Sequence, residues 1–167
     1  HPGLGFSFII PVDVDRDGLE DLFVYSLMSG GGMKYYHNLG PRAFPVLSSP
    51  RAVAGLERGR PAFGDLDGDG FVDAVVACRR GKDSVLLFQR GALDGQKTPV
   101  YSPAFPVVAG ARALVFTDLL SPQGDAHFRY YAVPCLFDVD GDSDLDLTFY
   151  LPDGFVYLAV NLGNRAA

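Results

Sequence analysis

The sequence predicts an all-β protein built from repeated four-stranded antiparallel units, and three observations carry that prediction. The chain holds 13 Phe, 8 Tyr, 20 Gly and 12 Pro in 167 residues, the profile of short strands joined by tight turns. Its aspartates cluster as Asp13, Asp15, Asp17, Asp21, then Asp65, Asp67, Asp69, Asp73, then Asp138, Asp140, Asp142, Asp146. Each cluster lies between two apolar, β-branched runs, and the 48% hydrophobic content is enough to bury a core.

Taken in order, "IIPVDVDRDGLEDLFVYSL", "PAFGDLDGDGFVDAVVACR" and "PCLFDVDGDSDLDLTFYLP" are one pattern of apolar strand, aspartate loop and apolar strand. A third strand-like run follows each ("MKYYHN", "SVLLFQ", "FVYLAVN") and closes on Asn38-Leu39-Gly40, Gln89-Arg90-Gly91 or Asn161-Leu162-Gly163, which aligns Gln89 with two asparagines. "AFPVL" (43–47) and "AFPVV" (104–108) read as fourth strands of the first two copies, and the third copy reads as three strands. A four-stranded antiparallel unit that must stack on neighbours to bury its faces is a β-propeller-type blade. The expected organisation is blade one at about 5–50, blade two at about 60–109, an insertion at about 110–130 and blade three at about 131–167. Closed propellers use ~4–8 blades, so about three blades make a partial or open propeller. "ALDGQKTPVYSP" reads as a longer loop and "TDLLSPQGDAHFRYY" as an inserted hairpin.

In D-x-D-x-D-x-x-x-D the first, third, fifth and ninth side chains can converge on one point, with the backbone carbonyl of the seventh residue facing the same way. The three sets are Asp13, Asp15, Asp17, Asp21 with Leu19; Asp65, Asp67, Asp69, Asp73 with Phe71; and Asp138, Asp140, Asp142, Asp146 with Asp144. An all-oxygen cage of this kind suits Ca²⁺, which accepts six to eight oxygens flexibly, better than the stiffer octahedron of Mg²⁺. Zinc is disfavoured because no Cys or His lies in any loop. The twelfth loop positions are Val24, Val76 and Phe149, not the bidentate Glu of an EF-hand. Gly18 and Gly70 allow the sharp turn, and Ser143 in their place predicts slight strain in the third loop. Three divalent cations would cancel the formal charge of -6.

The three loops, their strand contexts and the N-x-G endings resemble the FG-GAP/VCBS repeats of integrin α-like propellers and many secreted or surface proteins. The resemblance covers nearly the whole chain and implies calcium-bound blades, with each metal in the hairpin between a blade's first two strands. It is specific for fold and metal and weak for function. No Gly-Ala-Pro follows any second strand, so the chain is closer to the VCBS branch and an integrin-like ligand site is not carried over.

Catalysis has no constellation to rest on: His1, His37 and His127 have no Ser or Cys nucleophile in a recognisable motif beside them, and the paired carboxylates are committed to metal. The expectation is a non-enzyme whose histidines are solvent-facing or hydrogen-bonded. The densest basic run, Arg79, Arg80 and Lys82, reads as a solvated hairpin tip and makes no nucleic-acid surface. No apolar run approaches the ~20 residues of a membrane span. The chain opens on His1 without Met, which implies processing or trimming. Cys78 and Cys135, alone in apolar strands, fit buried thiols, with a bridge between them left open. The favoured reading is a structural scaffold whose blade edges are covered by other protein subunits. The alternative is an extracellular adhesion or carbohydrate-binding propeller, for which Tyr35, Tyr36, Tyr130 and Tyr131 are the stacking candidates, though half-buried strand positions suit them better. Open calcium cages of modest affinity stay empty in a resting cytosol, so a calcium-rich compartment is expected: extracellular, periplasmic or an organelle lumen.

Overall fold

The computed structural model describes residues 7–26, 32–41, 43–80, 83–109, 112–113, 115–116, 132–151 and 154–163. Among these there is no helix and no closed barrel; the chain is all-β, with several antiparallel sheets. It resolves into two compact units, His1–Leu56 with Gly91–Ser102, and Glu57–Arg90 with Pro103–Ala167.

In the first unit, β1 (Ser7–Val12), β2 (Asp21–Ser26), β3 (Lys34–Tyr36) and β4 (Arg51–Ala52) form a sheet in sequential order. Its buried residues include Val14, Phe23, Met33 and Tyr35. Phe23 and Tyr35 lie directly opposite across β2 and β3, with ring centroids 5.6 Å apart, an aromatic cross-strand pair of the kind that fixes register. The fourth strand is not the expected "AFPVL". That segment makes only an isolated bridge, Asn38 to Leu47, and leaves Phe44 and Val46 exposed, because Pro45 between them has no N–H to offer a ladder.

The same unit holds the hairpin of β8 (Gly91–Leu93) and β9 (Pro99–Tyr101), where a longer loop was expected. The turn is closed by Asp94, whose Oδ1 accepts the N–H groups of Gln96 (2.8 Å) and Thr98 (2.9 Å), a local side-chain turn typical of Asp. These two N–H groups hold the Asp94 carboxyl below its ordinary value. Arg51 ties the hairpin to β4 by donating to the Gln96 carbonyl (2.7 Å) and Thr98 Oγ1 (3.1 Å).

In the second unit, β5 (Arg60–Gly64), β6 (Asp73–Arg80) and β7 (Asp83–Gln89) pair in order. The outer edge of β7 is shared by two short strands: β10 (Phe105–Pro106) opposite Leu87 and Phe88, and β13 (Val115–Phe116) opposite Ser84 and Val85. Between them β11 (Val108–Ala109) and β12 (Arg112–Ala113) make a small hairpin. The fourth strand of this copy is therefore split between β10 and β13. The rest of the inserted stretch, with His127, Tyr130 and Tyr131, lies outside the described residues. The third sheet is β14 (Val133–Phe137), β15 (Asp146–Tyr150) and β16 (Val156–Ala159).

Val75 and Ala77 of β6, Leu86 of β7, and Leu147 and Phe149 of β15 form one buried cluster with Ala132 and Leu151. The alternate residues of β6, Ala74, Val76 and Cys78, are buried too, so this central strand is apolar on both faces, as its unbroken run "AVVAC" requires. Gly64 meets Leu145 and Leu136 so closely that a Cβ there would collide with the Leu145 side chain. The two cysteines are free: Cys78 is buried, whereas Cys135 is exposed, contrary to the expectation of two buried thiols. Cys135 sits on the outward face of β14, the face opposite buried Pro134.

Candidate metal centres

Each aspartate loop closes its hairpin in one register. The residue before the first aspartate lies opposite the ninth-position aspartate in every copy: Val12 with Asp21, Gly64 with Asp73, Phe137 with Asp146. Backbone dihedrals repeat as well. The fourth positions take positive φ (Arg16 58°, Gly68 73°, Gly141 82°), and so do the sixth (Gly18 85°, Gly70 94°, Ser143 76°). This left-handed pair curls the backbone so that its N–H groups point inward at carboxylates.

Those N–H groups are taken up in a repeated way. Asp13 accepts Asp17 N–H (3.1 Å) and Gly18 N–H (2.9 Å), Asp65 accepts Gly70 N–H (3.0 Å), and Asp138 accepts Gly141 N–H (2.7 Å) and Ser143 N–H (3.0 Å). The fifth-position carboxylates Asp17, Asp69 and Asp142 each accept the N–H of the seventh residue, Leu19, Phe71 or Asp144, at 2.9 Å.

The ninth-position aspartates, Asp21, Asp73 and Asp146, are fully buried. Their charge is supported by the N–H of the second loop residue, from Val14 (3.3 Å), Leu66 (3.0 Å) and Val139 (2.8 Å). In the first and third copies the closing asparagine adds its own N–H: Asn38 to Asp21 and Asn161 to Asp146, both 2.7 Å. Tyr35 also donates its O–H to Asp21 at 2.8 Å. Charge-assisted bonds of this type are worth about 1.5–3 kcal/mol each, which is how a carboxylate survives in a core. Burial still pushes the Asp21 carboxyl above its ordinary value, against the bonds from Asn38, Tyr35 and Val14. Burial and the Asp21 contact push the Tyr35 phenol far above its own.

Gln89 does not take the place of the asparagines. Leu22 pairs with Tyr36 and Leu147 with Ala159, each two residues short of its asparagine, whereas Ala74 pairs with Gln89 itself. Gln89 is buried and its Oε1 accepts the Glu57 N–H (2.8 Å). The next ladder step brings His37, Arg90 and Val160 to equivalent positions beside the ninth aspartates. His37 Nε2 stands 3.4 Å from Asp15 and Arg90 Nε 2.9 Å from Asp67, both third-position carboxylates. Val160 offers no such group, and among the described residues no basic side chain pairs with Asp140. Lys97, from the β8–β9 turn, brings an ammonium to the first loop at 2.8 Å from Asp15 Oδ2. Burial pushes Asp15 up, but the Lys97 bond and charge, with His37, outweigh it and leave the carboxyl below its usual value.

Candidate ligand atoms come within 4.8 Å of one another in three groups: Asp65, Asp67, Asp73; Asp138, Asp140, Asp146; and Asp15, Asp17, His37. In the second and third loops these are the first, third and ninth positions, an all-carboxylate donor set that fits a hard divalent cation. The fifth-position Asp69 and Asp142 stand outside the groups, as do Asp13 and Asp21 in the first loop. His37 was missed because it enters from a strand end well downstream of the loop. The expected solvent-facing or bonded histidine is instead nearly buried, with Nε2 lacking a hydrogen-bond partner. Tyr35, a stacking candidate, is buried between Phe23 and His37 and presents no face to a sugar; Tyr36 is half-buried.

Hairpins that share one register, one dihedral pattern and one carboxylate arrangement define an aspartate-loop repeat protein. The family model described as FG-GAP-like repeat matches residues 13–76, which span the first two aspartate loops. No curated protein and no solved structure matches the chain significantly.

Proposed function

We propose that the chain is a non-catalytic, calcium-binding scaffold of about three propeller blades, acting through protein–protein contacts in a larger assembly. The observation that carries this reading is the convergence of three carboxylates in loops of identical hairpin register. Calcium would be held by Asp65, Asp67, Asp69, Asp73 and the Phe71 carbonyl in the second loop, and by Asp138, Asp140, Asp142, Asp146 and the Asp144 carbonyl in the third. The first loop would use Asp13, Asp15, Asp17, Asp21 and the Leu19 carbonyl. When bound, the ion supplies the positive charge that the clustered carboxylates need, and the amide bonds around the ninth aspartates keep the donors oriented without it. Affinities near the ~10⁻⁴–10⁻³ M of extracellular modules would suit a calcium-rich, non-cytosolic compartment.

The scaffold role is supported by the third sheet. Its outer strand exposes Val156 and Leu158, and Phe155, Val160 and Leu162 beside it are exposed too. A strand from another subunit added along β16 would satisfy its main chain and cover these side chains together.

Calcium titration of the chelated chain, followed by metal analysis and thermal melts, should give about three ions per chain and a Tm that rises with calcium. An unchanged Tm after chelation would sink the calcium reading. A soluble, monodisperse monomer in calcium would refute the scaffold and leave a stand-alone binding module.

A further inference from the structure

The first repeat assembles a donor set that the other two lack. At the ladder position where the second copy has Arg90 and the third Val160, it has an imidazole. His37 is well anchored: its N–H donates to Ser48 Oγ (3.0 Å), its carbonyl accepts the Ser48 N–H (2.8 Å), and its ring stacks on Tyr35 at 6.3 Å and 15°. Tyr35 is in turn held by Asp21. The His37 Nε2 is shielded from solvent and has no hydrogen-bond partner, and Asp15 Oδ1, on a side chain only 2% exposed, is in the same condition. Leaving buried polar atoms unpaired is costly, and a ligand accepting lone pairs from both would recover that cost.

We propose that Asp15, Asp17 and His37 bind a first-row transition ion of borderline softness, of the Zn²⁺ or Co²⁺ kind. Imidazole nitrogen favours such ions and is foreign to calcium sites, which are built of oxygen. Ligands at about 2.0–2.2 Å from a shared Zn²⁺ stand within about 4.4 Å of each other, and the candidate ligand atoms of Asp15, Asp17 and His37 already lie within 4.8 Å of one another. The Lys97 ammonium is not an obstacle. It occupies Oδ2 of Asp15 and leaves Oδ1 open, and Asp13, Asp15, Asp17 and Asp21 carry enough negative charge for one ammonium and one divalent ion together. This goes beyond the calcium reading: the two donor sets share Asp15 and Asp17, so in the first loop the two kinds of ion compete.

The full chain, stripped of metal, is titrated with Co²⁺ with and without millimolar Ca²⁺, reading the visible d–d absorption. One equivalent should bind, and His37→Gln should weaken it at least about tenfold, while His1→Ala and His127→Ala leave it unchanged. As a measurement on the unaltered chain, bound Co²⁺ should shift the His37 imidazole proton resonances paramagnetically in the NMR spectrum. Equal Co²⁺ affinity in His37→Gln, no absorption band, or unshifted His37 resonances would overturn the proposal. Three calcium ions with no His37-dependent cobalt would remove this inference alone. His37-dependent cobalt with no calcium binding anywhere would remove the calcium reading and leave this one.

Discussion

Loop shape is decided at single residues, where the fourth and sixth positions must turn left-handed. Glycine does this freely, but Arg16 and Ser143 are asked to do it with a Cβ at φ of 58° and 76°. A non-glycine residue in this region costs on the order of 1–3 kcal/mol, against the 0.5–1 kcal/mol of extra chain entropy that glycine loses on folding. Ser143→Gly should therefore stabilise the calcium-free protein by about 0.5–1 kcal/mol, a rise of about 1–4 °C in Tm. A fall in Tm would mean that the serine hydroxyl supports the loop in a way that outweighs the strain. Ser143 was legible as a departure because the sixth position is fixed by the aspartate spacing alone. His37 was not, because its approach to Asp15 depends on the β2–β3 register, which no local spacing encodes.

Among elements, the hairpins around the aspartate loops could be read from sequence, since apolar runs and a turn of fixed length leave one register that keeps each face consistent. The outer strands could not. "AFPVL" and "AFPVV" look alike, yet the first makes a single bridge and the second splits into β10 and the start of β11, because two-residue edge pairings are decided by whatever lies beside them. The β8–β9 hairpin was hidden for a similar reason: its strands are three residues each, and Asp94 and Arg51 do what apolar alternation would do in a longer pair. The same alternation separates the cysteines. Burial pushes the Cys78 thiol up, while Cys135 is exposed on its strand. A maleimide should label one thiol per native chain, at Cys135, and two after denaturation, as read by intact mass. Rapid native labelling of Cys78 would show that β6 is not the buried central strand described.

Over the whole molecule, charge and connectivity set the behaviour. With a formal charge of -6 concentrated in aspartate loops, the chelated protein should gain stability when sodium chloride is raised, because screening within a Debye length of about 3 Å at 1 M weakens the carboxylate repulsion. The calcium-loaded protein should gain much less. Melts in low and high salt, with calcium and with chelator, check this, and equal salt responses in the two states would count against metal in the loops. Finally, the Asn161 amide donates to the carbonyl of Leu145 beside its own loop (3.2 Å) and also to that of Leu66 in the preceding loop (3.1 Å). One side chain thus belongs to two successive repeats. In the language of a one-dimensional lattice, it is a nearest-neighbour coupling: ordering one loop lowers the free energy of ordering the next, so adjacent sites should fill with positive cooperativity and neighbouring repeats should melt together.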